Sequence, residues 1–73
     1  MPTLTNEEVE HRFNYHAPDE KKAKDHAFIR HSCIKLADTF NLTCPVSSET
    51  LKAIEKIEEA MFWANAAIAR HEK

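Results

Sequence analysis

The stretch Ala60-Met61-Phe62-Trp63-Ala64-Asn65-Ala66-Ala67-Ile68-Ala69-Arg70 limits what this chain can become more than any other part of it. Nine of its first ten residues are apolar, Gly and Pro are absent, and Ile68 is its one β-branched residue. That is the composition of a helix interior rather than a strand. At about 100° of rotation per residue, Leu51, Ile54, Ile57, Met61, Ala64 and Ile68 fall on one face, while Trp63, Ala66 and Ala67 point away from it. One stripe serves a core within the chain; the indole needs a second partner. A Trp ring buries about 150–250 Å², worth several kcal/mol at roughly 25 cal/mol per Å². The sequence therefore predicts a seam between copies of the chain, with Trp63, Phe62, Ala66 and Ala67 as its candidate residues. Asn65 would set the register of that seam, and Arg70 at its polar rim would meet an acid or a ligand.

Chain length supports the same expectation. Seventy-three residues form a single domain, and so small a domain buries a modest share of its surface unless it is stapled or self-associates. Cys33 and Cys44 lie eleven apart with no signal peptide before them, which speaks against a disulfide framework; both are read as buried thiols. No apolar run approaches the ~20 residues of a membrane span, and 30% charged residues point to a soluble intracellular protein with no membrane partner. A net charge of −2 argues against a binder of duplex DNA or RNA, whose affinity comes from neutralising many phosphates. It leaves room for a small anion in a local basic pocket. With no Gly at all, phosphate-cradling loops of the Walker and dinucleotide types are excluded.

Three helices are expected, making an all-α fold. Thr5 and Glu8 have capping-box spacing, which starts a short helix over 6–13 with Val9 and Phe13 on its apolar edge. Pro18 disfavours helix at Ala17 and suits the first turn of the next element, so Asn14 to Ala17 form a corner that carries Tyr15 and His16. A second helix is expected over 19–41, with Ile29, Cys33, Leu36, Ala37 and Phe40 as its apolar stripe and Lys24, Phe28, His31 and Lys35 on the opposite face. Pro45 breaks it, Ser47 or Ser48 caps the next, and a third helix is expected over 48–70. The short connection predicts that the two long helices are antiparallel.

Among constellations that carry chemistry, the five histidines first suggest a metal. His11 and His16, like His26 and His31, are five apart, an offset of about 140° on a helix that points two ligands to different faces; no metal and no cofactor are expected. Cys33 lies on the core stripe without an Asp-His pair beside it, so a nucleophilic enzyme is not expected either. His26, Arg30 and the Lys24, His31, Lys35 face have the chemistry to cradle phosphates, with Tyr15 or Phe28 as a ring for a base to stack on. The plainer reading is a solvated helix face with Arg30 paired to an acid. On composition both stand.

Several blocks are characteristic together: Phe13-Asn14-Tyr15-His16-Ala17-Pro18, His26-Ala27-Phe28-Ile29-Arg30, Leu36-Ala37, Pro45, and Lys56 through Arg70. In these the chain resembles the small bacteriophage anti-CBASS proteins that act as cyclic-oligonucleotide sponges, over nearly its whole length. The resemblance implies a short all-helical protein assembled as a homo-oligomer, a hexamer. It would bind cyclic dinucleotides such as 3′,3′-cGAMP between protomers, and cyclic trinucleotides at a separate site, without cleaving them. In the host cytoplasm it would block the cyclic-oligonucleotide signal of anti-phage defence. Carried onto this chain, the resemblance implies that Tyr15, beside His16, clamps a base, Arg30 meets phosphate with His26 near it, and Ser32 adds a hydroxyl. Asn14 and Arg70 match the trinucleotide site. The alternative is a small helical interaction module whose basic second helix docks on an acidic host protein.

Overall fold

The computed structural model describes residues 3–13 and 19–71. Among them the chain is helical, with no strand: α1 (Asn6–Phe13), α2 (Glu20–Thr43) and α3 (Ser48–Arg70). Each start is fixed by a side chain that satisfies an otherwise orphaned backbone N–H. Before α1, the Glu8 amide donates to Thr5 Oγ1 and the Thr5 amide donates to Glu8 Oε1, both at 3.1 Å. This is a reciprocal capping box. Asp19 Oδ1 accepts from the Lys22 amide at 2.7 Å ahead of α2. Ser47 Oγ accepts from the Thr50 amide at 3.1 Å ahead of α3.

α2 continues to Thr43, beyond the expected end at Asn41, because nothing stops the backbone until Pro45 forces its predecessor out of helical geometry. Cys44 is that predecessor, with φ −87° and ψ 149°, and its amide still donates to the Phe40 carbonyl as the cap of α2. Pro45 O accepts from the hydroxyls of both Thr50, at 2.6 Å, and Ser47, at 3.1 Å, which ties the turn to the first coil of α3.

α2 and α3 pack against each other as an antiparallel hairpin. Lys22 reaches Ala69 and, four residues on, His26 reaches Asn65, so each step forward on α2 is a step back on α3. The seam consists of Ile29, Cys33, Ala37 and Phe40 against Ala53, Ile54, Ile57, Met61, Ala64 and Ile68, all half-buried. Leu36 and Leu51, expected on the two stripes, are 46% and 59% exposed: one partner helix covers a narrow strip, and these lie at its edges. Neither cysteine is a buried thiol. Cys33 is half-buried and Cys44 exposed, since the helix cap places Cys44 in the turn that closes the hairpin.

No described residue is fully buried. The Cα envelope measures 46 × 36 × 16 Å with a radius of gyration of 16.0 Å, whereas a compact chain of this length has about 11 Å. Its thickness admits little more than one layer of helices, each roughly 10–12 Å across. The accessible surface is 6361 Å², about 1,700 Å² more than a folded monomer of this mass exposes.

The start of α1 is sensitive to acid. Bonds from the Thr5 amide, then from its hydroxyl, hold the Glu8 carboxyl below its ordinary value of 4.5. A lowered carboxylate stabilises the fold fully above the unfolded value and ceases to do so as pH falls through the folded one. Acid should therefore release the Thr5 amide from Glu8 Oε1, seen as loss of amide-exchange protection at Thr5 on acidification; protection that does not change with pH would contradict this.

Candidate functional site

The described residues among those singled out from sequence do not converge within one chain. Asn14, Tyr15 and His16 lie outside the described residues. Arg30 is exposed on α2 and makes no ion pair among the described residues. The acid that the plainer reading gave it is not found there. His26, one turn earlier, lies on the same side of the helix. It is half-buried, and its Nδ1 donates to Asn65 Oδ1 across the hairpin at 2.9 Å. Asn65 thus bonds within its own chain, and the register it sets is that of α2 against α3.

Ser32 is exposed as well, but two residues beyond Arg30 means about 200° of rotation, so the hydroxyl and the guanidinium look out of opposite sides. The stripe of Lys24, Phe28, His31 and Lys35 faces outward, with the Phe28 ring 70% exposed. Lys24 is partly neutralised by Glu20 at 3.6 Å. Lys21 pairs with Asp25 at 2.7 Å, a bond that holds its ammonium above the ordinary range.

Arg70 lies elsewhere again. It is half-buried and, with Trp63 and His71 of α3 and its cap, faces Thr5, Glu8, His11 and Arg12 of the first segment across an open cleft. The His11 and His71 rings stand 5.7 Å apart at an interplanar angle of 52°. Trp63 therefore has part of its cover from α1 of its own chain, yet stays 66% exposed. Phe62 and Ala67 are exposed and Ala66 is half-covered. Sequence reasoning missed His11, Arg12 and His71 in this cleft. Only the capping box hinted at where α1 begins, and nothing local says which helix it leans on.

Another cleft, between the start of α2 and the end of α3, is lined by Asp19, Lys21, Lys22, Asp25, Ala67, Ile68 and His71. Two carboxylates make it a poor host for a polyanion. Lys22 Nζ instead points to the Ala69 carbonyl at 3.5 Å, where a cation suits the negative end of α3. Among the described residues no three of His, Cys, Asp and Glu gather where they could hold a metal ion. None of the described helices is long and apolar enough to cross a membrane.

Exposed cations and aromatic rings on a slender helical hairpin define a class of small binding proteins. The chain belongs to the Acb2/Tad1 hairpin-domain family, whose family model matches residues 5–69. This is the phage anti-CBASS family of cyclic-oligonucleotide sponges, proteins that bind and sequester the signal rather than enzymes. No curated protein and no solved structure matches the chain.

The bond between His26 and Asn65 should measurably stabilise the hairpin. Asn65→Ala is expected to cost about 1 kcal/mol, read as a lower denaturant midpoint; an unchanged midpoint would show that the bond contributes nothing.

Proposed function

We propose that this protein sequesters cyclic dinucleotides such as 3′,3′-cGAMP in pockets between protomers of a homo-oligomer, a hexamer, in the cytoplasm of the infected host. A second site takes cyclic trinucleotides, and neither ligand is cleaved. Family membership supports the general reading. The observation that carries it to this chain is Arg30, an exposed guanidinium with no ion pair among the described residues.

The chemistry of the ligand fits these side chains. A cyclic dinucleotide presents two phosphate charges and two flat bases, so a rigid host needs cations and rings. Arg30 supplies a fork of N–H donors that forms paired, charge-assisted bonds to phosphate oxygens. Tyr15 offers a ring to stack on a base, with His16 and His26 close by in the sequence and on the helix, and Ser32 adds a hydroxyl from a neighbouring protomer. Because Arg30 and Ser32 point to opposite sides of α2, one ligand meets both only where two chains join. For the trinucleotide, Arg70 acts with Asn14, and the Trp63 and Arg12 side chains of the same cleft offer a further ring and cation. Trp63, Phe62, Ala66 and Ala67 contribute the apolar contacts between copies. Since each pocket is shared, ligand binding stabilises the assembly by mass action.

Incubation with a labelled cyclic dinucleotide followed by heat denaturation tests the reading. Release of intact ligand is expected. A cleaved product would point to a phosphodiesterase, and no uptake to a module that binds a host protein through the α2 stripe. Tyr15→Ala should abolish uptake with the assembly intact, whereas tight binding in a titration would remove Tyr15 from the site. Trp63→Glu should reduce the mass seen by light scattering, and an unchanged mass would exclude the indole from the seam.

A further inference from the structure

We propose that His11 and His71 form a two-imidazole site for a zinc ion, which ties α1 to the end of α3. The inference goes beyond the sequestering role and does not rest on it.

Apolar burial does little to hold α1 in place. The helix has eight residues, short of the roughly 12–15 at which even an isolated helix is marginal in water, and its apolar side chains Val9 and Phe13 are 42% and 82% exposed. It meets α3 across the open cleft, where His11 of its last turn stands against His71, the cap residue of α3. Histidines five apart on one helix diverge, but these two come from different segments sixty residues apart, and the fold brings their rings together. The His71 backbone is fixed by its amide, which donates to the Ala67 carbonyl at 3.2 Å. Ring separation then selects the ion. With metal–nitrogen bonds of about 2.0–2.1 Å and about 1.2 Å more from nitrogen to ring centre, two imidazoles on one ion have centroids roughly 5–6 Å apart near the tetrahedral angle and about 4.6 Å apart at a right angle. The 5.7 Å between His11 and His71 falls in the first range. It suits tetrahedral zinc over neighbouring positions of a square-planar copper(II) or nickel(II) ion. The 52° between the ring planes is no obstacle, since each ring can turn about its own metal–nitrogen bond.

The surroundings accept a dication. Each histidine lies at the C-terminal end of its helix, the negative end of the helix dipole, and Glu7 and Glu8 offset Arg12 and Arg70 around the cleft. No third His, Cys, Asp or Glu gathers with the pair among the described residues, so water completes the tetrahedron. An open site of two protein ligands holds its ion less tightly than a closed site of four, and it fills or empties with the zinc around it. Filled, it fixes α1 beside the Trp63 indole, which lies in the same cleft.

Zinc chloride added to the chelator-treated full chain tests the site, with uptake followed by calorimetry and by the emission of Trp63, the chain's one tryptophan. One zinc per chain and a change in Trp63 emission are expected. Magnesium at the same concentration should produce neither, because hard cations prefer oxygen ligands to imidazole. His11→Gln and His71→Gln should each weaken zinc binding by at least about tenfold, the least that losing even an outer-shell partner costs, at unchanged helical circular dichroism. His31→Gln, on the outward face of α2, should bind zinc as the wild type does. Zinc should also raise amide-exchange protection in α1, and His71→Gln, a change on the far side of the cleft, should remove that rise. A wild-type chain that takes up no zinc would overturn the proposal. So would uptake that His11→Gln and His71→Gln leave unaltered, an adventitious ion only, or uptake that leaves exchange in α1 unchanged.

Discussion

The seam between α2 and α3 is a strip of contact between just two helices, and every other property of the fold follows from how little that strip can cover. Methyl and thioether groups on Ile29, Ile54, Ile57, Met61 and Ile68 are shielded from one side, and none of these residues reaches full burial. Backbone order costs on the order of 1–2 kcal/mol per residue, and a single layer returns little of it through apolar burial. Local devices help: three capped starts, a turn tied to Pro45, and two hydrogen bonds across the hairpin, His26 with Asn65 and Lys22 with the Ala69 carbonyl. Each contributes about 1 kcal/mol. They specify where helices begin and how they are registered, and on the proposed reading the bulk of the stabilisation comes from surface covered by neighbours.

Surface left open in this way is also what gives such a protein a place to hold a ligand. A compact chain of 73 residues has no interior to spare for a molecule carrying two bases and two phosphates. Chains that meet edge to edge create clefts at the joins without opening a core. Arg30, Ser32 and Arg70 look in three directions, which makes little sense for a site within one chain and good sense for sites shared by several. With a net charge of −2, the protein has no general attraction for polyanions. Affinity for a cyclic oligonucleotide must come from a few well-placed cations rather than from the field of the whole molecule.

Much of the fold could be read from the residues because its determinants are local. Thr5 with Glu8, Asp19 and Ser47 cap helices through bonds spanning three residues, and Pro45 ends one by its own geometry. Features that depend on distant contact were not legible: the meeting of His26 with Asn65, the lean of α1 towards Trp63, the exposure of Leu36 and Leu51. Cys44 was misread for a related reason. A thiol is apolar enough to expect inside, but the cap set by Pro45 holds it in the exposed turn that closes the hairpin. Of the candidate site, Arg30 was visible as a cation on an amphipathic helix. The roles proposed for Ser32 and Asn14 came from resemblance alone, because a site shared between chains, as proposed, would leave no spacing signature within one.

The central claim is that this fold is completed by its neighbours. The most direct measurement is the thermal unfolding midpoint of the ligand-free protein as a function of protein concentration, since stability drawn from association depends on mass action and stability held within a chain does not. The account predicts a midpoint that rises steadily over a hundredfold increase in concentration. A cooperative transition at one fixed temperature across that range, from a species with the mass of a single chain, would contradict it.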